Sequence, residues 1–200
     1  VTTDPYIRPS GAGLYRIAWA IYLLLAIAGA VWLSIAGRAH GGLRLDQFVG
    51  VDTWGRDLLW GVGSGAALLG LWEVGRRWLP AARELERAIA DILAGLSPSD
   101  AVGLALLSGF AEEIFFRGAV QGQWGLWVAT VLFALLHTGP GRPFYLWTAF
   151  AAVAGLVFGL LAAHLGNLLA PVVAHVLVNA VNLCRLALRT PATGPGHEPH

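Results

Sequence analysis

Apolar runs about as long as a bilayer is thick alternate along this chain with short charged connections. A helix needs about 20 largely apolar residues to cross the hydrocarbon core. That ruler gives six candidate spans: Leu14 to Ala36, Leu58 to Gly75, Asp100 to Gly122, Trp124 to His137, Phe144 to Ala163 and Leu168 to Leu188. The fourth is short for a full span. Between the second and third, Ala81 to Leu96 carries Leu85, Ala88, Ile89, Ile92 and Leu96 at helical spacing, opposite Arg83, Glu84, Glu86, Arg87 and Asp91. This is the pattern of an amphipathic helix on a membrane surface. Ser97, Pro98, Ser99 and Asp100 then supply a breaker and N-cap candidates. The fold expected is all-α, a polytopic transmembrane bundle of about six spans with one interfacial helix. Residues 1–98 form a two-span region with that helix, 99–188 a core, and 189–200 a Pro/Gly-rich tail.

Composition agrees with lipid as the solvent. Hydrophobic residues make up 56% of the chain and charged ones 12%, about half the charged share of a soluble domain; mean hydropathy is +0.64. The net charge of +1 gives no basic field for nucleic acid. Every cationic side chain is arginine, with no lysine or methionine. The single cysteine, Cys184, excludes a disulfide framework and reads as a small buried hydrophobe. The first apolar run exceeds a signal-peptide core and lacks a clear cleavage site, so it reads as a retained helix.

Arginine placement sets an expected orientation, because cytoplasmic loops hold the positive charge. With six spans, Arg8, Arg16, Arg76, Arg77, Arg83, Arg87, Arg142, Arg185 and Arg189 collect on one side, and Arg38, Arg44 and Arg56 on the other. Both termini are then cytoplasmic. Ala151, Gly155, Gly159 and Ala163, at four-residue intervals, form a small-residue ridge suited to close helix contact.

Ionised side chains inside a bilayer cost several kcal/mol each and need a partner or a task. The third segment has three in Phe110-Ala111-Glu112-Glu113-Ile114-Phe115-Phe116-Arg117. Glu113 and Arg117, at i and i+4, can form an internal ion pair. Glu112 points about 100° away around an α-helix and lacks that partner. His137 ends the fourth segment, one turn from Phe133; His175 and Asn179 form another i, i+4 pair in the sixth. A lone membrane histidine is more often interhelical glue than a catalyst. Depth draws these residues together. With a turn near Gln123, Glu112 and Asn179 lie roughly 16 Å from the outer surface and His137 roughly 20 Å, at 1.5 Å per residue. Whether the faces converge is a question of tertiary structure.

If they converge, a carboxylate in an apolar pocket can take a proton from water, histidine can relay it, and histidine or asparagine donors suit an oxyanion. Competing designs lack their parts. There is no HExxH, no aspartate pair within the spans, and no histidine near Ser64. Ser108, one turn before Glu112, is placed to hydrogen-bond it. His40, His164, His197 and His200 read as solvated.

The ordered set Glu112-Glu113-x-x-x-Arg117, Phe133-x-x-x-His137 and His175-x-x-x-Asn179 resembles the three motifs of the CPBP (Abi) family, which includes CAAX-processing type II proteases and bacteriocin-processing or immunity proteins. It spans about half the chain, Ser99 to Leu188. The resemblance implies a glutamic-type intramembrane endopeptidase acting on a peptide or protein substrate in the lipid bilayer; the chain's compactness and arginine-only cations point to a prokaryotic plasma membrane. Glu112 with His137 would activate water, His175 and Asn179 would stabilise the oxyanion, and Glu113 with Arg117 would form a structural pair. It implies no cofactor in the favoured mechanism; the alternative is zinc held by Glu112, His137 and His175. Two other classes remain open: a non-catalytic scaffold or immunity protein, and a transporter, for which no repeat is evident.

Overall fold

A computed structural model describes residues 11–36 and 47–189, with the side chains of Gly11, Ala12, Leu14 and Arg189 left undescribed. Its helices are α1 (Gly11–Ala36), α2 (Trp54–Trp78), α3 (Pro80–Ile92), α4 (Pro98–Glu112), a π-helical segment (Glu113–Val120), α5 (Gln121–Leu136), α6 (Pro143–Leu165) and α7 (Leu169–Arg189). No strand occurs among the described residues. Among the described residues, five stretches are long and apolar enough to cross a membrane, including Pro98–Leu136 as a 39-residue run. The lipid face is plain on α1, where Ile17, Ile21, Leu24, Val31 and Ile35 are all more than half exposed.

The 39-residue run is not a rod. Straight, it would hold Glu112 and His137 roughly 37 Å apart at 1.5 Å per residue, yet their side chains approach to 3.5 Å. The chain folds back at Gly125, whose φ of 84° and ψ of 171° interrupt the helix. That conformation is essentially open to glycine alone. The expected third and fourth segments are therefore separate, with their turn two residues beyond Gln123. The return leg from Leu126 to Leu136 is roughly 16 Å long, short of the ~30 Å hydrocarbon core. His137 consequently stops inside the bilayer's depth. Irregular backbone survives there only where protein satisfies it, and the Thr148 hydroxyl donates to the His137 carbonyl at 2.8 Å.

Glycines set the spacing around α7. A Cβ on Gly61 of α2 would meet the Ala170 carbonyl oxygen at 2.7 Å, and one on Gly109 of α4 would meet Val176 Cγ2 at 2.6 Å. So α7 is clasped between α2 and α4, its residues 175 and 179 turned toward the third segment. The start of α4 follows its sequence. Ser97 Oγ accepts from the Asp100 amide at 3.1 Å, the Asp100 carboxylate accepts from the Ser97 amide at 3.3 Å, and Pro98 occupies the first turn. This reciprocal cap satisfies two otherwise orphaned donors.

Three features differ from the sequence reading. The helix α3 does not simply lie on a surface: Ala82 and Leu85 are buried in protein, because its apolar stripe closes over a cavity between α2, α6 and α7. Cys184 is half-buried rather than fully buried. Asp57, which falls outside the span expected from hydropathy, is completely buried. Its carboxylate accepts from Thr53 at 2.8 Å, Arg56 at 2.8 Å and the Asn167 amide at 2.7 Å. Asn167 Oδ1 in turn accepts from the Leu169 amide at 3.0 Å, so Asp57 ties α2 to the start of α7. Of the histidines read as solvated, His164 is exposed; His40, His197 and His200 lie outside the described residues.

The hairpin at Gly125 yields a paired test. Gly125→Ala should lower stability by about 1–3 kcal/mol, the usual cost of forcing a side chain into such a region. Gly122→Ala, whose Cβ would meet nothing within 4 Å and whose φ is not positive, should be neutral or slightly stabilising. Thermal unfolding of both variants in detergent reads the difference.

Candidate active site

The three charged residues of the third segment separate where the helix widens. Glu112 ends α4, and Glu113 opens the eight-residue π-helical segment. A π turn, closed by i→i+5 bonds, takes more residues than an α turn, so Arg117 comes almost directly under Glu113. Arg117 Nη1 donates to Glu113 Oε1 at 3.0 Å, both side chains being at most 1% exposed. Arg117 Nη2 donates to the Gly155 carbonyl at 3.1 Å. The guanidinium also lies 4.2 Å from the centroid of the Phe133 ring and 5.4 Å from that of Phe158. The small-residue ridge of α6 thus does more than pack: its bare glycine backbone presents carbonyls that hold the third segment's polar side chains.

His175 joins this buried cluster. Its Nδ1 lies 2.7 Å from Glu113 Oε1; the carboxylate accepts, so Nδ1 carries the proton. The ring stacks on Phe158, centroids 5.0 Å apart. Glu113, Arg117 and His175 form a hydrogen-bonded unit away from the cavity wall.

Glu112 faces the other way, into a cavity of about 340 Å³ lined by Tyr22, Ser108, Glu112, His137, Trp147 and Asn179 among others, with α3 across its mouth. The Tyr22 hydroxyl on α1 interacts with Glu112. His137 Nε2 stands 3.5 Å from Glu112 Oε2, and that oxygen is buried with no hydrogen-bond partner. His137 is oriented from behind. Its Nδ1 lies 2.8 Å from the Phe133 carbonyl, which only accepts, so Nδ1 carries a proton and Nε2 is the ring nitrogen turned toward Glu112. Phe133 stacks on the same ring at 4.3 Å. Across the cavity, Asn179 Nδ2 donates to Ser108 Oγ at 3.0 Å. Ser108, expected to reach Glu112, bonds Asn179 and the Ala105 carbonyl instead.

All six residues singled out from sequence come together, in two groups. Glu112, His137 and Asn179 line the cavity; Glu113, Arg117 and His175 lie behind it. Of the residues named for a zinc alternative, Glu112, His137 and His175, His175 bonds Glu113 through Nδ1, and no group of three or more histidine, cysteine or acidic residues arranged to hold a metal occurs among the described residues. Tyr22 and Trp147 were missed by sequence reasoning, being two aromatics among many in apolar runs.

An acid, an imidazole and a carboxamide at mid-depth in a bundle of membrane helices define a class, the intramembrane proteins with a buried polar site. The comparisons are more specific. Residues 94–181 match the family described as type II CAAX prenyl endopeptidase Rce1-like, and the resemblance drawn from the three motifs holds over that segment. A Bacillus subtilis (strain 168) protein, named uncharacterized protein YpbD, is 41% identical over 85 residues, covering 42% of this chain and 43% of that relative. The chain therefore spans under half the length of the curated relative it matches. No solved structure matches the chain significantly.

The two groups should separate on mutation. Arg117→Met, which leaves Glu113 buried without its strongest partner, should cost about 3–5 kcal/mol. Glu112→Gln, at a carboxylate with an unpartnered oxygen, should leave stability unchanged or raise it. Unfolding midpoints of the purified variants check both directions.

Proposed function

We propose that the chain is an intramembrane endopeptidase that hydrolyses peptide bonds with a water held between Glu112 and His137. One observation carries this reading: beside a cavity, a carboxylate oxygen without a partner faces an imidazole nitrogen at 3.5 Å. With that nitrogen as an acceptor, the two call for a ligand with two hydrogens to give, and water is one. Glu112 takes a proton from that water as its oxygen attacks the scissile carbonyl carbon. Asn179, whose amide lines the cavity, donates to the oxyanion. The proton then passes from Glu112, with His137 as relay, to the leaving nitrogen. The C–N bond breaks, giving a carboxylic acid and an amine.

His175 acts through Glu113. Its bond to that carboxylate fixes α7, and with it Asn179, against the third segment. The family's printed name points to CAAX prenyl endopeptidases. For this chain the substrate class is a peptide segment or carboxy-terminal tail of a membrane-associated protein, entering a largely apolar cavity beneath α3. The arginine-rich connections beside that cavity support a cytoplasmic opening, in a reading that puts both termini on the same side of a prokaryotic plasma membrane. The mechanism proposed needs no metal, since Glu112 and His137 together can hold and deprotonate the water.

Cleavage of a membrane-peptide library by purified protein tests the reading. Glu112→Gln and His137→Ala should each lose about 10²–10⁴-fold in rate, as for loss of a general base. Asn179→Ala should lose about 10²–10³-fold. Equal cleavage by all three and the wild type would sink the proposal. Chelator-treated protein, shown by elemental analysis to be free of zinc, should cleave at the untreated rate; activity that disappears and returns with zinc would reverse the metal-free assignment.

A further inference from the structure

A second cavity, of about 290 Å³, opens on the opposite face of the bundle. Its rim includes Gln47 and Asn167, on the arginine-poor side, and its walls include Leu33, Gly118 and Gln121. Its floor is Arg117. Two buried polar atoms in its lining residues have no protein partner, Arg117 Nε and Gln121 Oε1. The rest of both side chains is accounted for. Arg117 Nη1 and Nη2 are held by Glu113 and Gly155, and Gln121 Nε2 donates to the Gly159 carbonyl at 2.9 Å. Both atoms are enclosed by protein; the cavity itself is lined by the polar residues Gln47, Arg117, Gln121 and Asn167.

An anion is not called for, because the charge of Arg117 is already matched by Glu113. A cation would sit next to a guanidinium. Water suits a cavity lined by these four polar residues, and the space is ample for several molecules. The barrier beneath it is thin. The Arg117 guanidinium, on this cavity, lies 4.2 Å from the centroid of the Phe133 ring. His137, on the first cavity, stacks 4.3 Å from the same ring on the α5 side. Phe133 itself is 2% exposed and also packs edge-on to Phe116 at 5.2 Å.

We infer that the second cavity is a water vestibule, open to the arginine-poor face and ending at Arg117, and that the Phe133 ring seals it from the cavity of Glu112 and His137. Water there lies beside the Arg117 side chain, offsetting part of the cost of burying the Glu113–Arg117 pair in the membrane. The inference concerns access and sealing, and it stands whether or not the first cavity cleaves peptides.

Cysteine accessibility in the full-length protein tests it, in sealed vesicles of known orientation and a Cys184→Ser background. The probe is a small, charged, membrane-impermeant methanethiosulfonate. Gly118→Cys reports on the vestibule, since an added Cβ there meets only the flexible ends of leucine side chains, nearest Leu33 Cδ1. Leu160→Cys, one residue past Gly159 and half-exposed on the lipid face, reports on lipid at similar depth. Asn182→Cys reports on the first cavity. The vestibule and seal require Gly118→Cys to react at least tenfold faster than Leu160→Cys, from the arginine-poor face alone, and Asn182→Cys to react from the arginine-rich face alone. Reaction of Gly118→Cys no faster than Leu160→Cys overturns the vestibule. Reaction of Gly118→Cys from both faces overturns the seal.

Discussion

The Glu113 carboxylate is the constraint on which the rest of this bundle depends. One of its oxygens receives Arg117 from its own helix and His175 from α7, and Arg117 extends the connection to the α6 backbone. A charge so buried is tolerable only if paired and hydrogen-bonded. Meeting that requirement brings three elements to one point. The aromatic rings of Phe116, Phe133 and Phe158 fill the remaining directions around the guanidinium, adding cation–π attraction where water is scarce.

That knot frees its neighbour. Glu112, one residue earlier, emerges on a different face, outside the Glu113–Arg117 hydrogen bond, and the short return leg after Gly125 stops where its terminal histidine stands opposite. Length is the device here. A return helix long enough to cross the bilayer would carry His137 past Glu112. One stopping at mid-depth must have its end covered by other groups, and Thr148 and the Phe133 carbonyl provide the cover. The site thus rests on a rigid pair behind it and a truncated helix beside it, an arrangement that presents reactive groups without leaving their supports exposed.

The amino-terminal region is part of the same construction. The α2 helix packs on α7 through bare glycine backbone, and Asp57 binds the α6–α7 turn through Asn167. The α3 helix then covers the cavity's mouth, with Leu85 and Ile89 among its lining and Glu86 accepting from Trp72 at 3.3 Å. The segment whose sequence matches known proteins forms the walls of the first cavity, and helices from the other half of the chain close it.

By itself the sequence determined roughly how many apolar segments there are and where they lie, six expected against five long enough to cross among the described residues, since about 20 apolar residues per crossing is a requirement of bilayer thickness. It also determined the pairing of Glu113 with Arg117, because i, i+4 neighbours meet on a helix whatever surrounds them, and the common depth of Glu112, His137 and Asn179, because helical rise is constant. Only the tertiary structure decided which carboxylate each histidine faces. That depends on how far each helix is rotated about its axis, which is set by contacts between distant residues such as Gly109 with Val176 and Gly61 with Ala170. The π-helical widening, the burial of α3's apolar face and the partnership of Asp57 with a residue 110 positions away belong to the same category. Local periodicity specifies what a helix can bury, and packing alone specifies against what.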